Sequence, residues 1–476
     1  MIFSMGRTRR AVVAVATGLL AVSIPLTATP ALAQSEETEE AITDIARYAP
    51  ADPANLPQNV GPSGADHSRF EQKVGCLQPN TSVPSDLQQR PWGQMFLEIE
   101  QAQKYATGAG QRVAVIDTGV NEHPRLAGRV QGAGDYVAND GGTVDCDGHG
   151  TIVAGIIAAA PDPVTGFVGV APDSEIISIR NVSSFYGPPG QQDEESVITA
   201  GDLDTMARAI VLAAQAGATV INLSETACVE STYSDEVHIA PLRAAINHAI
   251  EQDIVVIAAA GNHNADSAAC ADPNTPNGLN NHTFPGIFPE VLTVGSMGQN
   301  GALSEFSVAG DWVDIVAPGE EIISLDPAPN ATSLASQTAS ANGDASNIEG
   351  TSFAAPYVAG VAALVRERYP NLSAEQVINR LQQTAQHPGG LNGHSFGVGF
   401  GALNPVAALT EVLPEEHGVQ PPEPTQAMND LPPIPPFDWT PTIVAVSGAG
   451  GGLVLLLVTL FIVRTVRHTR GEHTAA

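Results

Sequence analysis

The sequence predicts an α/β fold of three layers, a mainly parallel sheet with helices on both faces, followed by one C-terminal transmembrane helix. Three observations predict it. Short β-branched apolar runs alternate with longer apolar or amphipathic segments between residues 91 and 412, the pattern of repeated strand–helix units. Several of those runs end in a polar residue beside glycine, as strands do when they deliver side chains to a site at their carboxyl ends. An uncharged apolar stretch over 443–463 is long enough, at about 1.5 Å per residue, to cross a hydrocarbon core of about 30 Å.

Strands are predicted near 113–117, 176–180, 219–223, 254–259, 291–295 and 313–316. The first, Arg112 to Ile116, is a short apolar run with β-branched residues and reads as a buried parallel strand. Helices are predicted near 149–159, 202–216, 236–251, 352–368 and 373–384. Residues 181–200, rich in Ser, Gly, Pro and Gln, and residues 326–347, rich in Ala, Ser and Asn, read as long surface loops.

The chemistry lies at the element ends. Asp117 closes the first strand in Val113-Ala-Val-Ile-Asp-Thr-Gly119. His149 opens a helix in Asp147-Gly-His-Gly-Thr-Ile-Val-Ala-Gly155, and Ser352 opens another in Gly350-Thr-Ser-Phe-Ala-Ala-Pro356. An acid, a base and a hydroxyl nucleophile in this set can run a relay. The serine attacks a carbonyl, histidine takes its proton, and aspartate holds the imidazole tautomer. A serine at a helix start also leaves backbone N–H groups, including its own, to bind a developing oxyanion. Asn262 follows the run Ile254-Val-Val-Ile-Ala-Ala-Ala260 and offers a second amide donor. Each motif alone is commonly a turn or a cap. Four of them in one chain order, each at a strand end or helix start, carry the catalytic reading.

On these motifs the chain resembles the subtilisin-like serine peptidases, and within them the mycosins, the membrane-anchored subtilases of actinobacterial type VII secretion systems. Asp145-Cys-Asp-Gly-His-Gly and Asn222-Leu-Ser-Glu-Thr-Ala-Cys228 are similar to the mycosin pattern. The resemblance implies a subtilisin-like three-layer fold over 91–412 and a serine endopeptidase. It assigns Asp117, His149 and Ser352 to the catalytic relay, and Asn262 with the Ser352 amide to the oxyanion hole. Leu223, Ser224 and Glu225 form the expected substrate-binding strand, with Glu225 standing where many subtilases have a small residue. A carboxylate there disfavours acidic substrate side chains and favours basic ones. The expected partners are protein substrates, type VII secretion membrane components and the membrane. Two roles follow: cleavage of a narrow set of secreted proteins, and physical stabilisation of the secretion complex with dispensable proteolysis. No cofactor or metal is expected, and the scattered Asp and Asn give no EF-hand spacing for calcium.

The rest of the chain frames this domain. Residues 1–33 read as a signal peptide, with Arg7, Arg9 and Arg10 before an apolar stretch and Ala31-Leu-Ala33 at its end. Residues 34–90 begin acidic and lack strand alternation. They are either an inhibitory propeptide or, as the resemblance implies, an extension that wraps the catalytic domain. Residues 413–441 are Pro-rich and acidic, a stalk. Arg464, Arg467 and Arg470 follow the span, which places the tail 464–476 in the cytoplasm and the peptidase outside. The net charge of −31, with Lys73 and Lys104 the only lysines, leaves no basic stripe for nucleic acid. In an exported chain, the four cysteines Cys76, Cys146, Cys228 and Cys270 are expected to form two disulfides, for which three connectivities exist. Pairing Cys76 with Cys146 would staple the extension beside His149. Cys228 and Cys270 follow neighbouring strand ends, so they are expected to meet at one edge of the sheet.

Overall fold

The computed structural model describes residues 48, 50–78, 88–190, 200–263, 270–339, 345–388, 393–417 and 452–464. It divides into two units, residues 1–411 and 412–476.

Seven parallel strands form the central sheet of the first unit. They are β1 Arg112–Asp117, β2 Val130–Asp135, β3 Glu175–Arg180, β4 Val220–Leu223, β5 Val255–Ala259, β6 Leu292–Met297 and β7 Ile315–Pro318. Their spatial order is β7-β6-β5-β4-β1-β3-β2. The chain leaves β1 towards one edge, then returns to the other side of β1 at β4. That reversal opens a crevice at the carboxyl ends of β1 and β4, where ligands bind in open α/β sheets.

Alternation along β1 assigns its two faces. Val113 and Val115 pack with α1 His149–Ala158, α4 Thr351–Arg368 and α5 Ala374–Gln383. Ala114 and Ile116 pack with α2 Leu203–Gln215 and α3 Glu236–Glu251. These side chains are essentially fully buried, and each larger one contributes about 1.5–3 kcal/mol by leaving water. α4 is buried without a break from Thr351 to Val365. A helix apolar all round has no solvent face, which fits its place at the centre of the molecule.

Two expectations change. β2 was not foreseen: Val130-Gln-Gly-Ala-Gly-Asp has two glycines and a register shift between Gly132 and Gly134, as an edge strand can have. Residues 326–347 are not wholly a surface loop. They bury Asp326, Leu334 and Ala335 and contain paired segments at Leu334–Ala335, Gln337–Ala339 and Ala345–Asn347.

The described part of the N-terminal extension lies on the domain. Tyr48 and Val60 are buried in the α2–α3 core, and Asp66 pairs with Arg208 at 2.8 Å. Glu71–Gln72 pair with Tyr186–Gly187. In the second unit, residues 452–464 are helical and exposed. No helix among the described residues is long and apolar enough to cross a membrane. The first part of the span expected over 443–463 lies outside the described residues, as do the expected signal peptide and most of the linker and tail.

Candidate active site

β1 carries Asp117 to the crevice and buries it completely. Its Oδ1 accepts from the Thr118 amide at 2.7 Å and pairs with Nδ1 of His149 at 2.8 Å. Glycine makes this approach close: a Cβ at Gly150 would fall 2.1 Å from the Gly119 carbonyl oxygen and 3.1 Å from Asp117 Oδ1. The start of α1 is held by a second buried carboxylate. Asp145 Oδ1 accepts from the Gly148 amide at 2.7 Å and from Thr118 Oγ1 at 2.8 Å. Its Oδ2 accepts from the amide and hydroxyl of Thr151 at 2.8 and 2.6 Å. Asp145 thereby ties the turn after Asp117 to the turn that bears His149. Burial pushes its pKa up to about 6 despite these bonds, with nearby Asp117 adding to the rise.

α4 presents Ser352 from the opposite side. Gly350 precedes it at φ 148°, where any Cβ would sit 3.0 Å from Ser352 Oγ. Asn262 Oδ1 accepts from the amide and hydroxyl of Thr351 at 2.9 and 3.0 Å. That orientation spends the carbonyl on the protein and leaves Nδ2 as the donor. Ser224 links the end of β4 to the same turn: its hydroxyl donates to the Ser352 carbonyl at 2.8 Å and accepts from Asn222 Nδ2 at 2.8 Å. The Phe353 ring lies 4.9 Å from the His149 ring.

A cleft of about 490 Å³ joins these groups. His149, Ser224, Glu225, Asn262, Glu349 and Ser352 line it, and Cys228 and Cys270 form part of its wall. The structure bonds Cys228 to Cys270 and Cys76 to Cys146. The first bond closes the cleft wall. The second fixes the extension beside α1, where the Leu77 amide donates to the Cys146 carbonyl at 3.0 Å.

Sequence reasoning placed Asp117, His149, Asn262 and Ser352 in one site, and the structure brings them together. Leu223 needs correction. Its side chain is fully buried in the core, and its strand is already paired on both sides, opposite Ile116 and Ala258. It supports the cleft from below, so Ser224 and Glu225 are the members of that stretch that meet it. The sequence reading gave no role to Asp145, Thr118 or Phe353. The Asp145-Cys-Asp-Gly-His spacing was the available signal for the first.

Glu225 is the unexpected contact. Its Oε1 lies 3.4 Å from His149 Nδ1, the atom that Asp117 also holds, and its side chain is 32% exposed. Burial pulls the His149 pKa down. The charge and hydrogen bond of Asp117, with Glu225 and Asp145 behind them, outweigh burial, and the net shift is upward. Burial raises Glu225, and His149 opposes that rise. Donor atoms of Asp117, His149 and Glu225 lie within 4.8 Å of one another. Nδ1 faces both carboxylates, an arrangement that favours the imidazolium. No hydrogen bond joins His149 to Ser352 among the described residues. Bonds of this kind often close only around substrate.

A family model for the subtilase family matches residues 108–401. The chain belongs to the subtilases, in their mycosin branch. Mycosin-1 of Mycolicibacterium smegmatis is 42% identical over 410 residues, covering 81% of this chain and 87% of its own length. The crystal structure of MycP1 from the ESX-1 type VII secretion system aligns with a TM-score of 0.68 at 41% identity, over 77% of this chain and 97% of that one. A chain from an intact ESX-5 inner membrane complex aligns with a TM-score of 0.69 at 35% identity, over 87% and 98%. The mycosin-branch chain is thus a serine endopeptidase with a subtilisin-like α/β fold.

Proposed function

We propose that the protein is the anchored endopeptidase of a type VII secretion system, cleaving a narrow set of secreted proteins outside the cell membrane. The observation that carries the catalytic part is the 2.8 Å contact between His149 Nδ1 and the buried Asp117, at the sheet's switch point and across the cleft from the Ser352 turn. Ser352 Oγ attacks the scissile carbonyl, His149 Nε2 takes its proton and returns it to the leaving amine, and Asp117 holds the tautomer and balances the imidazolium. Asn262 Nδ2 and the Ser352 amide donate to the oxyanion. Substrate lies extended past Ser224 and Glu225. A fluorophosphonate probe tests the assignment: it is expected to label the wild type and not Ser352→Ala, and equal labelling would overturn it.

Membrane placement rests on the 443–463 stretch with Arg464 after it and on relatives found within an ESX-5 inner membrane complex. In this reading the chain is a single-pass type I membrane protein, anchored in the cell membrane with its domain extracytoplasmic and its tail cytoplasmic. Subtilases usually need no cofactor, though some bind calcium, and no step here calls for one.

A second reading, in which the protein mainly stabilises the secretion complex, has its own support. The extension is disulfide-bonded through Cys76–Cys146 and buries Tyr48 and Val60, as a retained scaffold would. Deleting the protein is then expected to stop secretion, while Ser352→Ala leaves much of it. If Ser352→Ala blocks secretion as fully as deletion, proteolysis alone explains the role.

A further inference from the structure

A relay of acid, base and nucleophile needs one carboxylate on the histidine, and here there are two. Asp117 reaches Nδ1 from the end of β1 at 2.8 Å, and Glu225 reaches the same atom from beyond β4 at 3.4 Å. A third carboxylate, Asp145, stands behind the turn that bears His149. From α4 the uncharged ring of Phe353 meets the imidazole, and Glu349 lines the same cleft. Among the described residues, the charged groups acting on this imidazole, Asp117, Glu225 and Asp145, are all acidic. Each stabilises its protonated form, and the base works only when neutral.

The three carboxylates differ in access. Asp117 and Asp145 are fully buried, whereas Glu225 is about one-third exposed. Glu225 also belongs to the cleft wall that a substrate must touch. It is the one carboxylate that can exchange its hold on His149 for a group on the substrate. Among the described residues, Glu225 and Glu349 are the acids that line the cleft and no Lys or Arg lines it, so the group that fits is cationic.

We propose that Glu225 is a positioning residue that couples substrate charge to the catalytic base: it holds His149 as imidazolium until a lysine or arginine side chain of the substrate takes over its carboxylate. No covalent step is added. One ion pair, Glu225 with His149, is exchanged for another, Glu225 with the substrate cation. The imidazole then loses a stabilising charge, gives up its proton to solvent more readily, and is free to accept the Ser352 proton. The upward shift of His149 agrees in direction. The inference rests on the endopeptidase reading above and adds to it both a preferred substrate side chain and a reason for restraint when that side chain is absent.

The test uses the full-length, detergent-solubilised protein and pairs of peptides that differ only in one lysine or its Nε-acetyl form. The lysine is walked through the four residues before the scissile bond. The acidic limb of kcat/KM against pH reports the free enzyme, and that of kcat reports the substrate complex. Glu225→Gln is expected to move the kcat/KM limb to lower pH by about one unit, which is about tenfold in rate below the limb. In the wild type, lysine at one position is expected to place the kcat limb lower than acetyl-lysine does. In Glu225→Gln and Glu225→Leu that difference should shrink. Thermal unfolding checks that both variants fold. Unmoved kcat/KM limbs in both variants overturn the proposal, and so does a change confined to KM, which would make Glu225 a binding contact alone. Failure of the fluorophosphonate probe to label Ser352 would instead overturn the endopeptidase reading.

Discussion

The helices of this domain start in two different ways. α2 and α5, away from the cleft, open with complete capping boxes. Asp202 accepts from the Thr205 amide and Ser373 from the Gln376 amide, and each N3 side chain reaches back. α1 and α4, which bear His149 and Ser352, open at Gly148 and Gly350 with no side-chain cap from those positions. A cap satisfies first-turn N–H groups locally and adds stability. A glycine start forgoes that and leaves the donors for other groups. At α1 they are taken by Asp145 and Thr118 from neighbouring turns. At α4 Asn262 takes the Thr351 amide, and Ser352 lines the cleft. Capped starts stabilise the domain, and uncapped starts position its chemistry.

The contrast breaks most visibly at the nucleophile. Ser352→Ala is expected to lower kcat by roughly 10⁴-fold or more while leaving the melting temperature nearly unchanged, because the methyl group fits the same turn. Peptide turnover and calorimetry on one preparation would check both halves. Asn262→Ala comes next. It removes the Nδ2 donor and should cost about 2.7–4 kcal/mol of transition-state stabilisation, read as a 10²–10³-fold fall in kcat. If kcat is unchanged, Asn262 only braces Thr351.

How much of this was legible in the sequence follows from range. Six of the seven strands are predominantly apolar runs, so their burial on both faces is written locally. β2 carries Gly132, Gly134 and Asp135 at an edge, where pairing rather than side-chain pattern makes the strand. Asp117, His149, Asn262 and Ser352 were legible because each sits at the end of a local pattern. Glu225 was legible as a departure from a small residue, but its contact with His149 depends on how two distant loops meet. Leu223 was misassigned because a strand end looks the same in sequence whether its last residue faces the core or the cleft. Asp145 has a local signal in its spacing to His149, but the donors it collects from two turns are set by how those turns meet.

Asp145 supplies the intermediate prediction. Asp145→Asn keeps the shape but replaces an acceptor oxygen with a donor opposite N–H and O–H groups. The variant should lose about 1–3 kcal/mol of stability, together with part of its activity as His149 loses its brace. The sign with pH follows from the raised pKa of about 6 against an ordinary 3.8. Between those values the folded state holds a proton that the unfolded chain has released. The contribution of this group to stability is therefore greatest below about pH 4 and is lost as pH rises towards 6. Denaturant unfolding across that window should show the decline in the wild type and a flatter profile in Asp145→Asn. Equal slopes would mean that Asp145 is ionised throughout.

The smallest effect sharpens the comparison from its other side. Ser373 caps α5, and its hydroxyl accepts from the Gln376 amide at 3.2 Å while Gln376 Oε1 accepts from the Ser373 amide at 2.9 Å. This pair is exposed and remote from the cleft. Ser373→Ala removes one side of the box and should cost about 1 kcal/mol of stability. α5 packs on the face that also holds α4, so the loss falls on the layer that carries the nucleophile, yet no atom of the relay moves. kcat and KM are expected to match the wild type, while the denaturation midpoint falls. A drop in kcat comparable to that of Asn262→Ala would mean that the capped and uncapped starts are not separable, and the division between them would fail.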